Sequence, residues 1–399
     1  MHRKFILTCS LLSVIATGYA SADFSKTMRK FSGKRYALEE ELSKKLNLPI
    51  PPQVYKFFSA AISGDYNSIS NSFKSLMFRT DNGYYKEIPQ IENELWAPIH
   101  ETIGVWDAWN DWGRHNRIAE DFCTSVLASI PKGSIYFGGT DYGRFFITTA
   151  NETQTPPKIF CITQNALADN SYTAYLRAVY GDKIWIPSPN DTAQAFQKYI
   201  TEVQNGSRKK NSQIKKVNGK IEITGVLGVM EINGIIAKMI FEHNKDKHEF
   251  YIEESYVIDW MYPYLEPHGL ILKLNSDKID ELSQKSVEND FSFWNSTEKK
   301  LLAIPEFRKT EKIRKAYAKM RAAIAGVYEH RHKYAAAEKA YKQAIRLCPG
   351  TPEPNYRLAY MYAGRGRKND AAVILKEYMK HCGPHDRASA ERYIRKLER

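Results

Sequence analysis

The sequence predicts an α/β protein flanked by helical regions, and three observations carry that prediction. Between residues 131 and 275, short and nearly continuous apolar runs alternate with helix-length periodic segments. That is the pattern of a largely parallel sheet covered on both faces. Residues 23–130 show apolar positions at helical spacing, and residues 311–384 repeat with an offset of 34. With 43% hydrophobic and 26% charged residues over 399 positions, the chain is folded rather than disordered and long enough for two or three domains.

Arg3 and Lys4, the apolar run Phe5 to Ala16 and the small residues Ala20-Ser21-Ala22 occur in the order of a secretory signal peptide. Cleavage is expected after Ala22, and the mature chain is expected in the periplasm or beyond. Thr8 before Cys9, so early in the apolar run, does not make a lipoprotein signal. Past residue 22 no stretch is expected to cross a membrane. Val226 to Phe241 comes nearest, and Glu231, Asn233 and Lys238 interrupt it. Cys123, Cys161, Cys348 and Cys382 follow no zinc-binding spacing, and their pairing in an oxidising compartment stays open.

In the first helical region, "KRYALEEELSKKLNL" reads as one helix. Pro51 and Pro52 open a second, Gly64-Asp65 turns the chain, and Ile69, Phe73 and Leu76 line a third. Trp96, Trp106, Trp109 and Trp112 form a stripe expected in the core. His100-Glu101 begins like a zinc-protease motif, but position 104 is Gly where His is required.

In the α/β region, "SIYFGG", "KIFCITQ", "KIWIP", "HEFYIEES" and "GLILKL" read as strands, and "QIKKVNGKIEIT" reads as a hairpin around Asn218-Gly219. Helices are expected over 171–180, 192–203 and 226–243. Residues 276–310 read as a helical linker.

The C-terminal repeat aligns Tyr328 with Tyr362, Ala337 with Ala371 and Cys348 with Cys382. Ile324, Ala325, Tyr328, Ala337, Tyr341, Ala344 and Pro349 occupy fixed spacings in the first copy. The second keeps Leu358, Ala359, Tyr362 and Ala371, then departs at Leu375, Tyr378 and Gly383. In this spacing residues 311–399 resemble the tetratricopeptide repeat, which implies stacked helix pairs, a capping helix and a protein partner. Residues 301–399 carry 23 Lys and Arg against 10 Asp and Glu, a net +13 that equals the whole chain's, so residues 1–300 are balanced. Such a basic face suits an acidic protein or an anionic glycan, and an exported chain is not expected to meet nucleic acid.

Candidate site residues follow the strands. Gly138, Gly139, Thr140, Asp141 and Arg144 follow the first, Gln164 and Asn165 the second, and Glu253 and Glu254 a later one. In open α/β sheets ligands bind outside the carboxyl ends of strands. Glycines let backbone amides approach a ligand, Arg144 suits a carboxylate or phosphate, and the acids suit a base or metal ligand. The loop is neither a Walker loop nor a dinucleotide fingerprint, and the same residues also suit a plain turn with an Asp cap. No cofactor or metal is implied. The strand–Gly–Asp loop, the second strand's polar end and "EESYVIDWMYPYLEPHGLILKL" resemble the soluble extracytoplasmic domain of bacterial protein-mannosyltransferase-like membrane proteins, over roughly residues 120–275. That resemblance implies a fold and a compartment, and not mannose transfer, because the membrane half is lacking. The resulting expectation is an exported binding or scaffolding component of the cell envelope. The alternative is an enzyme or binding protein acting on a glycan or sugar phosphate at the Asp141 loop.

Overall fold

A computed structural model describes residues 23–80, 85–139, 142–207, 213–217, 220–224, 226–253 and 258–398. Helices dominate it, with one small mixed sheet at the centre. The signal segment 1–22, Thr140, Asp141 and Glu254 lie outside the described residues.

Local signals place the first helices. α1 (Phe24–Leu46) starts where the Asp23 side chain accepts from the Ser25 amide at 3.2 Å, and ends at Asn47 in the left-handed region. α2 (Pro52–Ser63) opens on Pro and ends at Gly64, whose φ of 86° favours glycine. Asp65 then caps α3 (Tyr66–Lys74). A short antiparallel pair, β1 (Met77–Arg79) and β2 (Tyr85–Glu87), precedes α4 (Trp96–Asp111) and α5 (Asn116–Ser129). Trp106 and Trp112 of the tryptophan stripe are fully buried, as the spacing predicts.

The main sheet is built from β3 (Ile135–Gly138), β4 (Phe160–Thr163), β7 (Phe250–Glu253), β8 (Leu265–His268) and β9 (Ile271–Leu274), in the order β4-β3-β7-β9-β8. Crossovers join the first three: α6 (Tyr142–Glu152) between β3 and β4, and α7 (Asn170–Tyr180), α8 (Pro189–Gln204) and α9 (Val226–Asn244) before β7. Those three strands are parallel. The remaining two are not, which corrects the expected largely parallel sheet to a mixed one. Among the described residues no crossover α-helix follows β7; β8 and β9 form a tight hairpin at Gly269, whose φ is 62°, and β9 pairs antiparallel with β7. The β5 (Gln213–Val217) and β6 (Lys220–Thr224) hairpin stands apart as its own two-stranded sheet, with its Asn218-Gly219 turn outside the described residues.

"KIWIP" is extended but is not a strand. The Asn244 amide takes the place of a neighbouring strand, accepting from the Trp185 amide at 2.8 Å and donating to its carbonyl at 2.9 Å. One side chain therefore satisfies the backbone groups that a ladder would have paired.

The segment 276–310 is helical and packed rather than free. It holds α10 (Gln284–Ala303) and α11 (Pro305–Lys309). Trp294 of α10 is buried and donates to the Gly269 carbonyl at 3.1 Å, fixing the helix to the β8–β9 turn. Beyond it α12 (Glu311–His330) and α13 (Tyr334–Leu347) form one helix pair, α14 (Pro352–Gly364) and α15 (Lys368–Tyr378) the next, and α16 (Pro384–Leu397) closes against α15. α12 also touches β8 and β9. Among the described residues no helix is long and apolar enough to cross a membrane, and the four cysteines are unpaired.

The α4–α6 crossing is close because Gly104 has no side chain. A Cβ there would stand 2.1 Å from the Phe145 ring. Gly104→Ala is expected to lower stability in urea unfolding by about 1–3 kcal/mol, the usual range for overpacking. Phe145→Leu in the same chain is expected to recover part of the loss. An unchanged midpoint would show that the two helices separate freely.

Candidate functional site

The register of the parallel strands brings their ends level. Gly138 of β3 stands beside Thr163 of β4 on one side and Glu253 of β7 on the other. Because side chains alternate along a strand, Tyr136, Thr163 and Glu253 project from the same sheet face, beneath the start of α6.

The glycines make room for neighbouring groups. A Cβ on Gly138 would lie 2.4 Å from Cγ of Arg144, so the missing side chain makes room for the arginine stem. The Gly139 amide donates to the Glu253 carbonyl at 2.9 Å and extends the ladder. Gly143, in the first turn of α6, lies over the Glu253 carboxyl group in the same way, with Oε1 2.9 Å from a would-be Cβ.

Glu253 is buried and accepts from the Tyr136 hydroxyl at 3.2 Å. Burial, and then the charge of Glu253, hold the Tyr136 phenol well above its ordinary value. Gln164 is also buried, and neither of its amide atoms has a partner among the described residues. The Asn165 carbonyl accepts from Nδ2 of Asn233 at 3.0 Å, while Oδ1 of Asn233 accepts from the Ala168 amide at 2.6 Å, so α9 clamps this loop. Asp169 caps α7 through Ser171. Thr140, Asp141 and Glu254, expected at the same strand ends, lie outside the described residues.

Arg144 is the expected site residue that borders open space. It is 7% exposed, donates from Nη1 to Oγ1 of Thr163 at 2.7 Å and lies 3.8 Å from the centre of the Phe145 ring. Its Nε has no hydrogen-bond partner, and no carboxylate among the described residues forms an ion pair with it. It borders a pocket of about 250 Å³ whose near wall is Thr163, Ala166, Asp169, Ser171 and Tyr172. The far wall comes from the helical region: Trp96, Ala97, His100 and Glu101 of α4, with Glu87 and Asn93.

The carboxylates of that wall have partners. Glu101 accepts from the Tyr175 hydroxyl at 2.9 Å and faces Nε of Arg35 at 2.6 Å. Glu87 faces His100 at 3.0 Å, and His100 stacks on Trp96. Tyr172 receives the Thr163 amide at 2.7 Å, and its hydroxyl is pushed up to about 12 by burial and then by the Glu101 charge. Among the described residues no cluster of three or more His, Cys, Asp or Glu could hold a metal ion. Sequence reasoning reached Arg144 but not the α4 wall. The available signal was Ala97, His100 and Glu101 at positions i, i+3 and i+4, which share a helix face.

Comparison with protein-family models, with curated proteins and with solved structures gave no match.

Proposed function

We propose that this chain is an exported adaptor of the cell envelope, with tetratricopeptide-like helix pairs that dock a partner protein. The carrying observation is the burial of equivalent positions in the two copies. Tyr328 and Tyr362, and Ala337 and Ala371, lie in the interior of their helix pairs. Small residues let paired helices approach, while the large ones fill the space between them. α16 buries Ala390, Ile394 and Leu397, as a capping helix would.

The surface left for a partner is smaller than the repeat itself. α12 lies against the sheet and α10 against α13, so the chain covers part of its own first pair. The open surface lies between α14 and α16, a groove of about 380 Å³ lined by Tyr356, Tyr360, Tyr393, Arg392 and Lys396, with Asp386 and Ser389. Tyr360 is 51% exposed. Aromatic and arginine residues in such a groove suit an acidic protein segment, since these types dominate binding energy at interfaces. A pull-down from envelope extract is expected to retain a partner that Tyr360→Ala with Arg392→Glu loses. Retention by that double variant, or no partner on the whole chain, would defeat the docking reading. N-terminal sequencing of the exported protein is expected to begin at Asp23, and an intact Met1 would defeat the exported reading.

A further inference from the structure

The geometry points to a binding site for a small organic carboxylate between α4 and the ends of β3 and β4, with Arg144 as its anion anchor. The site is separate from the α14–α16 groove and does not depend on the docking reading.

Among the described residues Arg144 forms no ion pair with a carboxylate. A guanidinium stays ionised in a protein, and removing it from water is expensive unless a carboxylate or several hydrogen bonds replace the water. Two other buried arginines meet a carboxylate, although each also has one nitrogen without a hydrogen-bond partner among the described residues. Arg35 faces Glu101 at 2.6 Å, and Arg321 faces Asp290 at 2.7 Å. Arg144 is as buried, yet among the described residues it has one hydroxyl partner, one aromatic face and an Nε with nothing to donate to. It borders a cavity rather than a packed wall. A ligand oxygen in that cavity would give an acceptor to the part of the guanidinium that borders it, and arginine–carboxylate hydrogen bonds are among the stronger ones proteins make.

The remaining lining selects the ligand class. Glu87, Glu101 and Asp169 also border the pocket. A dianion such as a phosphate would meet their repulsion, while a monocarboxylate places its charge at Arg144 and offers hydroxyl or ammonium donors to the acids. Trp96 and Tyr172 add flat apolar surface. A pocket of about 250 Å³ has room for one amino acid or one sugar acid.

The test is calorimetric titration of the purified full chain with α-amino acids in one arm and glucuronate in another, each beside its methyl ester, with inorganic phosphate and glucose as further arms. Saturable binding in a carboxylate arm, absent for the ester, is expected, and the arm that responds separates amino acid from sugar acid. Arg144→Gln is expected to weaken binding tenfold or more. Ala97→Met, which places bulk in the pocket without touching any partner of Arg144, is expected to do the same while the thermal midpoint stays near that of the unmodified chain. No carboxylate binding at millimolar concentration would overturn the proposal. Equal binding of acid and ester, a response to phosphate alone, or unchanged affinity in a folded Ala97→Met chain would overturn it as well.

Discussion

Replacing Glu39 with leucine is expected to stabilise the protein at pH 8 by several kcal/mol, and by much less near pH 4. Glu39 is 0% exposed on the inner face of α1, and neither carboxyl oxygen has a hydrogen-bond partner among the described residues. Burial alone pushes its carboxyl group up from 4.5 to about 8, so at neutral pH the side chain is protonated in the fold and ionised in the unfolded chain. The sign follows from proton binding. Between pH 4.5 and about 8 the folded state holds a proton that the unfolded state has released. Stability therefore falls as pH rises through that window and is flat on either side of it. The slope approaches about 1.4 kcal/mol per pH unit, which over the window amounts to roughly 3–5 kcal/mol as an upper bound. Leucine has no proton to exchange and fills a similar volume. Urea unfolding of both proteins at pH 4.5, 6, 7 and 8 reads the difference directly. Parallel stability–pH curves for the two would show that Glu39 is ionised or solvated in the fold.

Glu39 also shows which parts of the structure could be read from the residues alone. Its helix was legible from Lys34 onward, but the Asp23 cap starts it ten residues earlier, at Phe24, than the expected segment. Gly64-Asp65 between α2 and α3 was legible because it acts locally, whereas the Ser188–Asp191 box starts α8 at Pro189, ahead of the helix expected from 192. β3, β4 and β7 announced themselves as apolar runs because both their faces are covered. Legibility failed where a distant group decides the outcome. "KIWIP" has strand composition, but Asn244, more than fifty positions away, satisfies its backbone. The β8–β9 hairpin reverses the sheet's direction at Gly269, a residue that read only as the start of a strand. At the site, Arg144 could be picked out by its position after β3. Its relation to Trp96, Ala97, His100 and Glu101 could not, because that depends on α4 crossing α6 at Gly104. Gly138 illustrates the limit within one residue type. A glycine after a strand admits a ligand or a neighbour's side chain equally well, and here it admits the stem of Arg144.

Asp290→Ala is expected to be among the most damaging single changes in the chain, lowering stability by about 3–5 kcal/mol. Asp290 of α10 meets Nη1 of Arg321 on α12 at 2.7 Å, with side-chain exposures of 1% and 0%. Its same oxygen accepts from the Tyr328 hydroxyl at 2.6 Å, and Nε of Arg321 donates to Gln343 of α13 at 2.9 Å. Phe291 and Trp294 face the guanidinium from α10. Removing the carboxylate leaves a cation enclosed by aromatic rings with one amide oxygen for company, and that desolvation is what the variant must bear. The pair itself need not be strongly stabilising, since attraction inside the fold is set against the loss of two hydration shells. The double variant Asp290→Leu with Arg321→Met is therefore expected to lie closer to the unmodified protein than Asp290→Ala does. Such non-additivity identifies a buried cation stripped of its counter-charge as the source of the damage, rather than weakened packing. The position gives the result a structural meaning. Trp294, one turn along from Asp290, fixes α10 to the β8–β9 turn, so the ion pair joins the sheet to the first helix pair. Losing it is expected to loosen α12 and α13 from α10 first, and amide exchange should report faster opening there than in β3 or β4. Uniform exchange across the chain, or additive effects of the two single changes, would show that the ion pair is not what holds the helix pair to the sheet.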